Sequence, residues 1–119
     1  MTTNANNTNI NVVRGDKLYN INFTVKQASL SDPSETLPIN LSGASIKFKV
    51  APINNISSLS TNGTCTVLVA ADGTCYYTVQ NSDFVTVGQY RGELEVTYVS
   101  TGQVITAPKI YINCISDLG

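Results

Sequence analysis

The 119-residue chain contains no histidine and no tryptophan, and only 13% of its residues are charged. Without histidine, the commonest general base and metal ligand is missing, and neither a Ser-His-Asp nor a Cys-His device can be built. A two-carboxylate hydrolase is the formal remainder. Its nearest candidates, Glu93 and Glu95, stand two residues apart beside Arg91, the pattern of a solvated strand face. No catalytic activity and no small-molecule substrate is therefore expected. Asp72 and Asp83 belong to no D-x-D-x-D loop, so no metal and no cofactor is expected either. The net charge of −1 gives no field that would recruit nucleic acid or an anionic membrane. No apolar run reaches the roughly 18 residues of a membrane span. The polar start Met1-Thr2-Thr3-Asn4-Ala5 lacks the charged and apolar blocks of a signal peptide, so synthesis in a cytoplasm is expected. The three cysteines, Cys65, Cys75 and Cys114, are odd in number and lack CxxC spacing, which suits reduced thiols acting as small hydrophobes. A Cys65–Cys75 bridge requires their strands to pair in the right register, and a reducing cytoplasm argues against it.

What the chain does have is alternation. In Gly88–Tyr98, Tyr90, Leu94, Val96 and Tyr98 fall on one parity, and Arg91, Glu93, Glu95 and Thr97 on the other. Successive strand side chains point to opposite faces, so this segment predicts a strand with one dry and one wet face. The pattern recurs. Ile10 to Val13 reads as a first strand and Leu18 to Lys26 as a second, with Tyr19, Ile21, Phe23 and Val25 inward. Ser45 to Val50 follows, with Ile46, Phe48 and Val50 inward and Lys47 and Lys49 outward. Thr64 to Ala70 and Thr74 to Gln80 are joined by Ala71-Asp72-Gly73, a hairpin signal because glycine accepts the positive φ of such turns. Gln103 to Ile115 is the last strand, with Ile110, Ile112 and Cys114 inward and Pro108 marking a bulge or an edge. The stretches 27–38 and 52–63 read as polar connections, and 81–87 as a crossing between sheets that could form one helical turn. Residues 1–9 are polar and without period, which predicts a flexible arm ahead of a sandwich spanning 10–119.

Seven or eight short strands, with turn signals every 8–12 residues, predict an all-β fold: an immunoglobulin-like antiparallel β-sandwich. Asp83, Gly88 and Tyr90 have the spacing of a tyrosine corner, in which the phenol closes back on the backbone upstream. These three are expected to act structurally. The Trp and paired Cys of antibody domains are missing.

Short motifs add little. Arg14-Gly15-Asp16 has the letters of an integrin-binding tripeptide but the position of a turn between strands. Asn6, Asn22, Asn40, Asn55 and Asn62 satisfy N-x-S/T in a chain rich in those residues, so the matches need carry no glycan. Tyr76 and Tyr111 fall on the outward parity of their strands, and two tyrosines on one outer face could anchor a partner. With them, the arm residues Thr2, Thr3, Asn4, Asn6, Asn7 and Asn9 are the expected partner-contacting positions.

Three segments together carry a resemblance. They are Val13-Arg14-Gly15-Asp16-Lys17, Ile39-Asn40-Leu41-Ser42-Gly43-Ala44-Ser45-Ile46-Lys47-Phe48, and Gly88-Gln89-Tyr90-Arg91-Gly92-Glu93-Leu94-Glu95-Val96 after Asp83. This succession resembles the N-terminal domain of phage baseplate upper proteins and related tail-associated immunoglobulin-like domains, over about residues 12 to 113. The resemblance implies a non-enzymatic virion structural protein that docks on other virion proteins and on copies of itself. The family's domain is usually followed by a fibre or receptor-binding region. Here nothing follows Asp117-Leu118-Gly119, so a tail, baseplate, collar or adaptor subunit is expected rather than a direct receptor binder. A capsid decoration or head-fibre protein is the nearest alternative, and a small carbohydrate- or host-surface-binding module the next. The expected location is the virion, assembled in the host cytoplasm.

Overall fold

Ten strands form among the residues described by the computed structural model, which are 3–5, 8–28, 36–55 and 59–116. They are β1 (Thr3–Ala5), β2 (Asn9–Val13), β3 (Asn20–Ala28), β4 (Thr36–Pro38), β5 (Ala44–Pro52), β6 (Thr61–Thr64), β7 (Thr66–Val69), β8 (Thr74–Thr78), β9 (Gly88–Tyr98) and β10 (Gln103–Ile115). One sheet runs β1-β3-β8-β7, with β4 also on β3, and the other runs β2-β10-β9-β5-β6. In the first, β1, β3, β8 and β7 take the places of strands A, B, E and D of an immunoglobulin sandwich. In the second, β5, β9 and β10 take those of C, F and G. The chain is an immunoglobulin-like β-sandwich.

Period-two burial builds it as the alternation requires. Phe23 and Val25 of β3, Phe48 and Val50 of β5, Leu94 and Val96 of β9, and Ile110 and Ile112 of β10 are all essentially inaccessible. The rings of Phe23 and Phe48 meet at 5.3 Å between centroids, and Phe48 meets Tyr77 at 5.2 Å, in tilted packings that join the two sheets. Each such large side chain contributes about 1.5–3 kcal/mol by leaving water. The outward set keeps its charges wet. Lys49 Nζ reaches Glu95 Oε2 at 2.9 Å across β5 and β9, a half-buried surface pair worth at most about 1 kcal/mol.

Several expectations are corrected. Three strands beyond the seven read from alternation exist, because β1, β4 and β6 take their β character from neighbours rather than from their own pattern. Thr3–Ala5, expected in a flexible arm, pair antiparallel with Val25–Gln27 of β3. Asn9 opens β2, which runs parallel to β10 with Tyr111 opposite Asn9, so the sandwich is not wholly antiparallel. Within the expected loop 27–38, β4 pairs with the end of β3. Within the expected connection 52–63, β6 pairs with β5, and buried Thr61 begins it. The strand expected over 64–70 is two strands in different sheets. The chain changes sheet at buried Cys65, whose N–H donates to the Ile46 carbonyl at 2.8 Å. The second strand begins at Asn20, because Leu18 takes a left-handed φ of 62°.

Other expectations hold. β7 and β8 form the antiparallel hairpin, closed by a 3-10 turn over Ala70–Asp72 and by Gly73 at φ 70°. The stretch 81–87 crosses between sheets through turns rather than a helix. The β9–β10 register shifts between Ala107 and Ile110, placing a bulge at Pro108-Lys109.

Candidate functional site

The loop from Gln80 to Val87 connects the two sheets, and three groups fix it. Tyr90, entering β9, packs its ring edge-on against Phe84 at 5.7 Å and 79°. Its hydroxyl donates to the Thr86 carbonyl at 2.6 Å, four residues upstream. That is a tyrosine corner. Gly88 turns the chain into the strand at φ 149°, where a side chain is rarely tolerated.

Asp83 lies buried beneath this corner as a shared acceptor. Its Oδ2 takes hydrogen bonds from the Tyr77 hydroxyl at 2.6 Å and the Gln80 N–H at 2.7 Å, and its Oδ1 takes one from the Thr61 hydroxyl at 3.1 Å. Tyr77 belongs to β8 and Thr61 to β6, so one carboxyl group joins both sheets to the loop. Burial, followed by the hydrogen bond to Asp83, pushes the Tyr77 phenol above its ordinary range. The backward bond of Tyr90 is the one the corner spacing predicts, whereas the role of Asp83 as shared acceptor is not read from it. Nor are its partners Tyr77 and Thr61, although Tyr77 shares the inward parity of Cys75 and Val79.

Cys65, Cys75 and Cys114 are free, buried thiols. The hydrogen bond between the Cys65 and Cys75 sulfurs, with burial, holds the Cys65 thiol well above its usual value. The same interaction lowers the Cys75 thiol, and both side chains are shut off from solvent. Among the described residues, no group of three or more metal-ligating side chains comes together.

Tyr76 and Tyr111 do not share a face. Tyr76 lies on β8 of the first sheet, level with Asn22 and Thr66, and is only half exposed. Tyr111 lies on β10 of the second sheet and is 43% exposed. Thr2, Asn6 and Asn7 lie outside the described residues. Thr3 and Asn4 belong to β1, where they stand opposite Gln27 and Lys26.

Two hollows among the described residues bear on contact. Tyr111 borders a groove of about 440 Å³, together with Asn9, Asn11, Gln89, Asn113 and Ile53. A second, of about 480 Å³, lies at the end of the sandwich where Ile53, Val85 and Val87 stand around Ser82, Thr86 and Gln89. Those three aliphatic side chains are 45–55% exposed, and Leu18, from the turn carrying Gly15 against the Phe84 carbonyl, is 71% exposed. No protein-family model matches the chain, and no curated protein matches it.

Proposed function

We propose that the chain is a non-enzymatic structural subunit of a bacteriophage particle, of tail, baseplate, collar or adaptor type. It works by contact with neighbouring virion proteins and with copies of itself. The observation that carries this reading is the apolar end formed by Ile53, Val85 and Val87. Exposed aliphatic groups gathered from separate loops mark protein–protein contact sites, since water alone offers no reason to hold them there. The underlying scaffold is stiff: the tyrosine corner and the Asp83 hydrogen bonds fix the loop that presents Val85 and Val87. The likeness of residues 12 to 113 to tail-associated immunoglobulin-like domains supplies the setting. A capsid-decorating position would use the same contacts.

Mass spectrometry of purified particles, with location of the chain in a density map, tests the proposal. The chain is expected in stoichiometric amounts, with Val85 and Val87 against another subunit. The double substitution Val85→Asp and Val87→Asp should leave the isolated fold intact and abolish incorporation. Particles that lack the chain, or a purified monomer that turns over substrate, would end this reading.

A further inference from the structure

We propose that the outer face of β2, β10 and β9 is a binding site for a neutral saccharide, centred on Tyr111. Parallel pairing of β2 with β10, and antiparallel pairing of β10 with β9, sets two rows side by side. Asn9 stands opposite Tyr111, and Asn11 opposite Asn113, which in turn faces Gln89. All five side chains are exposed, and Ile53 walls the groove at one end through its N–H bond to the Gln89 carbonyl at 3.0 Å. One aromatic ring thus stands among four uncharged amides, with Arg91 opposite it on β9.

The other sheet's outer face is different. There the Thr78 hydroxyl donates to the Asn20 side chain at 2.7 Å, and Asn22 and Thr24 are also engaged. Among the described residues, no hydrogen bond within the protein engages the side chains of Asn9, Asn11, Gln89, Asn113 or Tyr111. Unspent hydrogen-bonding capacity is therefore concentrated on one face.

The chemistry selects the ligand class. A primary amide offers an acceptor and two donors within one small group, which matches a vicinal pair of sugar hydroxyls. The phenol ring and Ile53 receive the apolar C–H face of a pyranose. The groove's own lining is uncharged, while Arg91, opposite Tyr111 on β9, lines the neighbouring hollow with Lys49 and Glu93, so a neutral sugar suits the groove and the anionic control tests how far Arg91 reaches. Size points the same way. The volume lies within the roughly 300–1,000 Å³ of small-ligand sites.

This inference does not depend on the virion reading, since it concerns the isolated chain. Amide chemical shifts would be followed by NMR while maltotriose, cellotriose, lactose or N,N′-diacetylchitobiose is added to about 10 mM, tenfold above a site of about 1 mM. A sialylated trisaccharide serves as the anionic control. At least one neutral probe should shift the amides of 9–11, 89 and 111–113 and leave β3 and β8 unmoved. Tyr111→Ala should weaken that binding about tenfold, roughly 1.4 kcal/mol, while Tyr111→Phe retains it. Asn113→Ala gives a second reading should the first variant fold poorly. The site is refuted by a spectrum that no neutral sugar perturbs, by equal binding in Tyr111→Ala, or by stronger binding of the sialylated probe. It is refuted equally if Tyr111→Ala alters only self-association in sedimentation, which would make the face a protein contact.

Discussion

Asp83 and Tyr19 show opposite ways of burying a polar group. Asp83 accepts from three donors, so removing it strands all of them: the Tyr77 hydroxyl, the Thr61 hydroxyl and the Gln80 N–H. A buried donor left without an acceptor costs about 1–3 kcal/mol, and members of one network do not add fully. Asp83→Ala should therefore destabilise by about 2–4 kcal/mol in urea unfolding, more than Tyr90→Phe, which loses one bond. Tyr19 has the reverse problem. Its hydroxyl is buried with no partner among the described residues, and burial, then Asp16, raises its pKa. Tyr19→Phe removes the unsatisfied group and keeps the ring, so the unfolding midpoint should hold or rise. A loss above about 1 kcal/mol would show a partner that the fold does not display. The sequence singled out Asp83 only as part of a corner-like succession with Gly88 and Tyr90, and not as the shared acceptor it is. It hid the partners because Thr61 lies on a strand with no apolar alternation of its own.

At the scale of the element, β9 shows how this sandwich does without the central cystine of antibody domains. There the second cysteine lies two residues after the corner tyrosine, which here is Gly92. A Cβ on Gly92 would come within 3.2 Å of both Ile112 Cδ1 and Phe48 Cε1, and 3.3 Å of the Lys49 carbonyl. Phe48, on the strand that carries tryptophan in antibodies, fills the space and packs on Phe23. Gly92→Ala should thus cost about 1–3 kcal/mol through overpacking, without changing the fold. Thermal unfolding checks it; an unchanged midpoint would mean that the rings move aside freely. In β10, the bulge puts exposed Lys109 at φ 64°, a conformation costing about 1–2 kcal/mol for a side chain other than glycine. Lys109→Gly should stabilise by about 0.5–1 kcal/mol once the extra freedom of glycine in the unfolded chain is subtracted. Pro108 announced that bulge in the sequence. Nothing announced β6, because Thr61-Asn62-Gly63-Thr64 becomes a strand only by pairing with β5. The Tyr111 groove was hidden for a related reason. Asn9 and Asn11 come beside Asn113 only through a parallel pairing that alternation cannot foretell.

Over the whole molecule, the inner sets of Phe23, Phe48, Leu94 and Ile112 were legible because each strand's parity reports its burial independently. The order of the strands was not legible, since it depends on contacts between distant segments. That shared interior leaves a mark on the pH dependence of stability. Burial is the leading cause of raised pKa values at Tyr19, Tyr77, Tyr90 and Tyr98, and at the Cys114 thiol. A raised pKa means that the folded chain holds its proton where the unfolded chain has begun to release it. The stability these groups contribute is complete below their unfolded values, about 8.5 for the thiol and about 10 for the phenols. It is lost as pH rises through the folded values, each group steepening the decline by up to about 1.4 kcal/mol per pH unit. Urea midpoints should stay level with respect to these groups up to about pH 8.5, sag slightly toward 10 and then fall sharply. Tyrosinate absorbance from the buried set should appear together with the loss of β-structure rather than before it. A midpoint still level at about pH 11, or phenols that ionise fully in the folded protein, would contradict the closed interior from which the expectation follows.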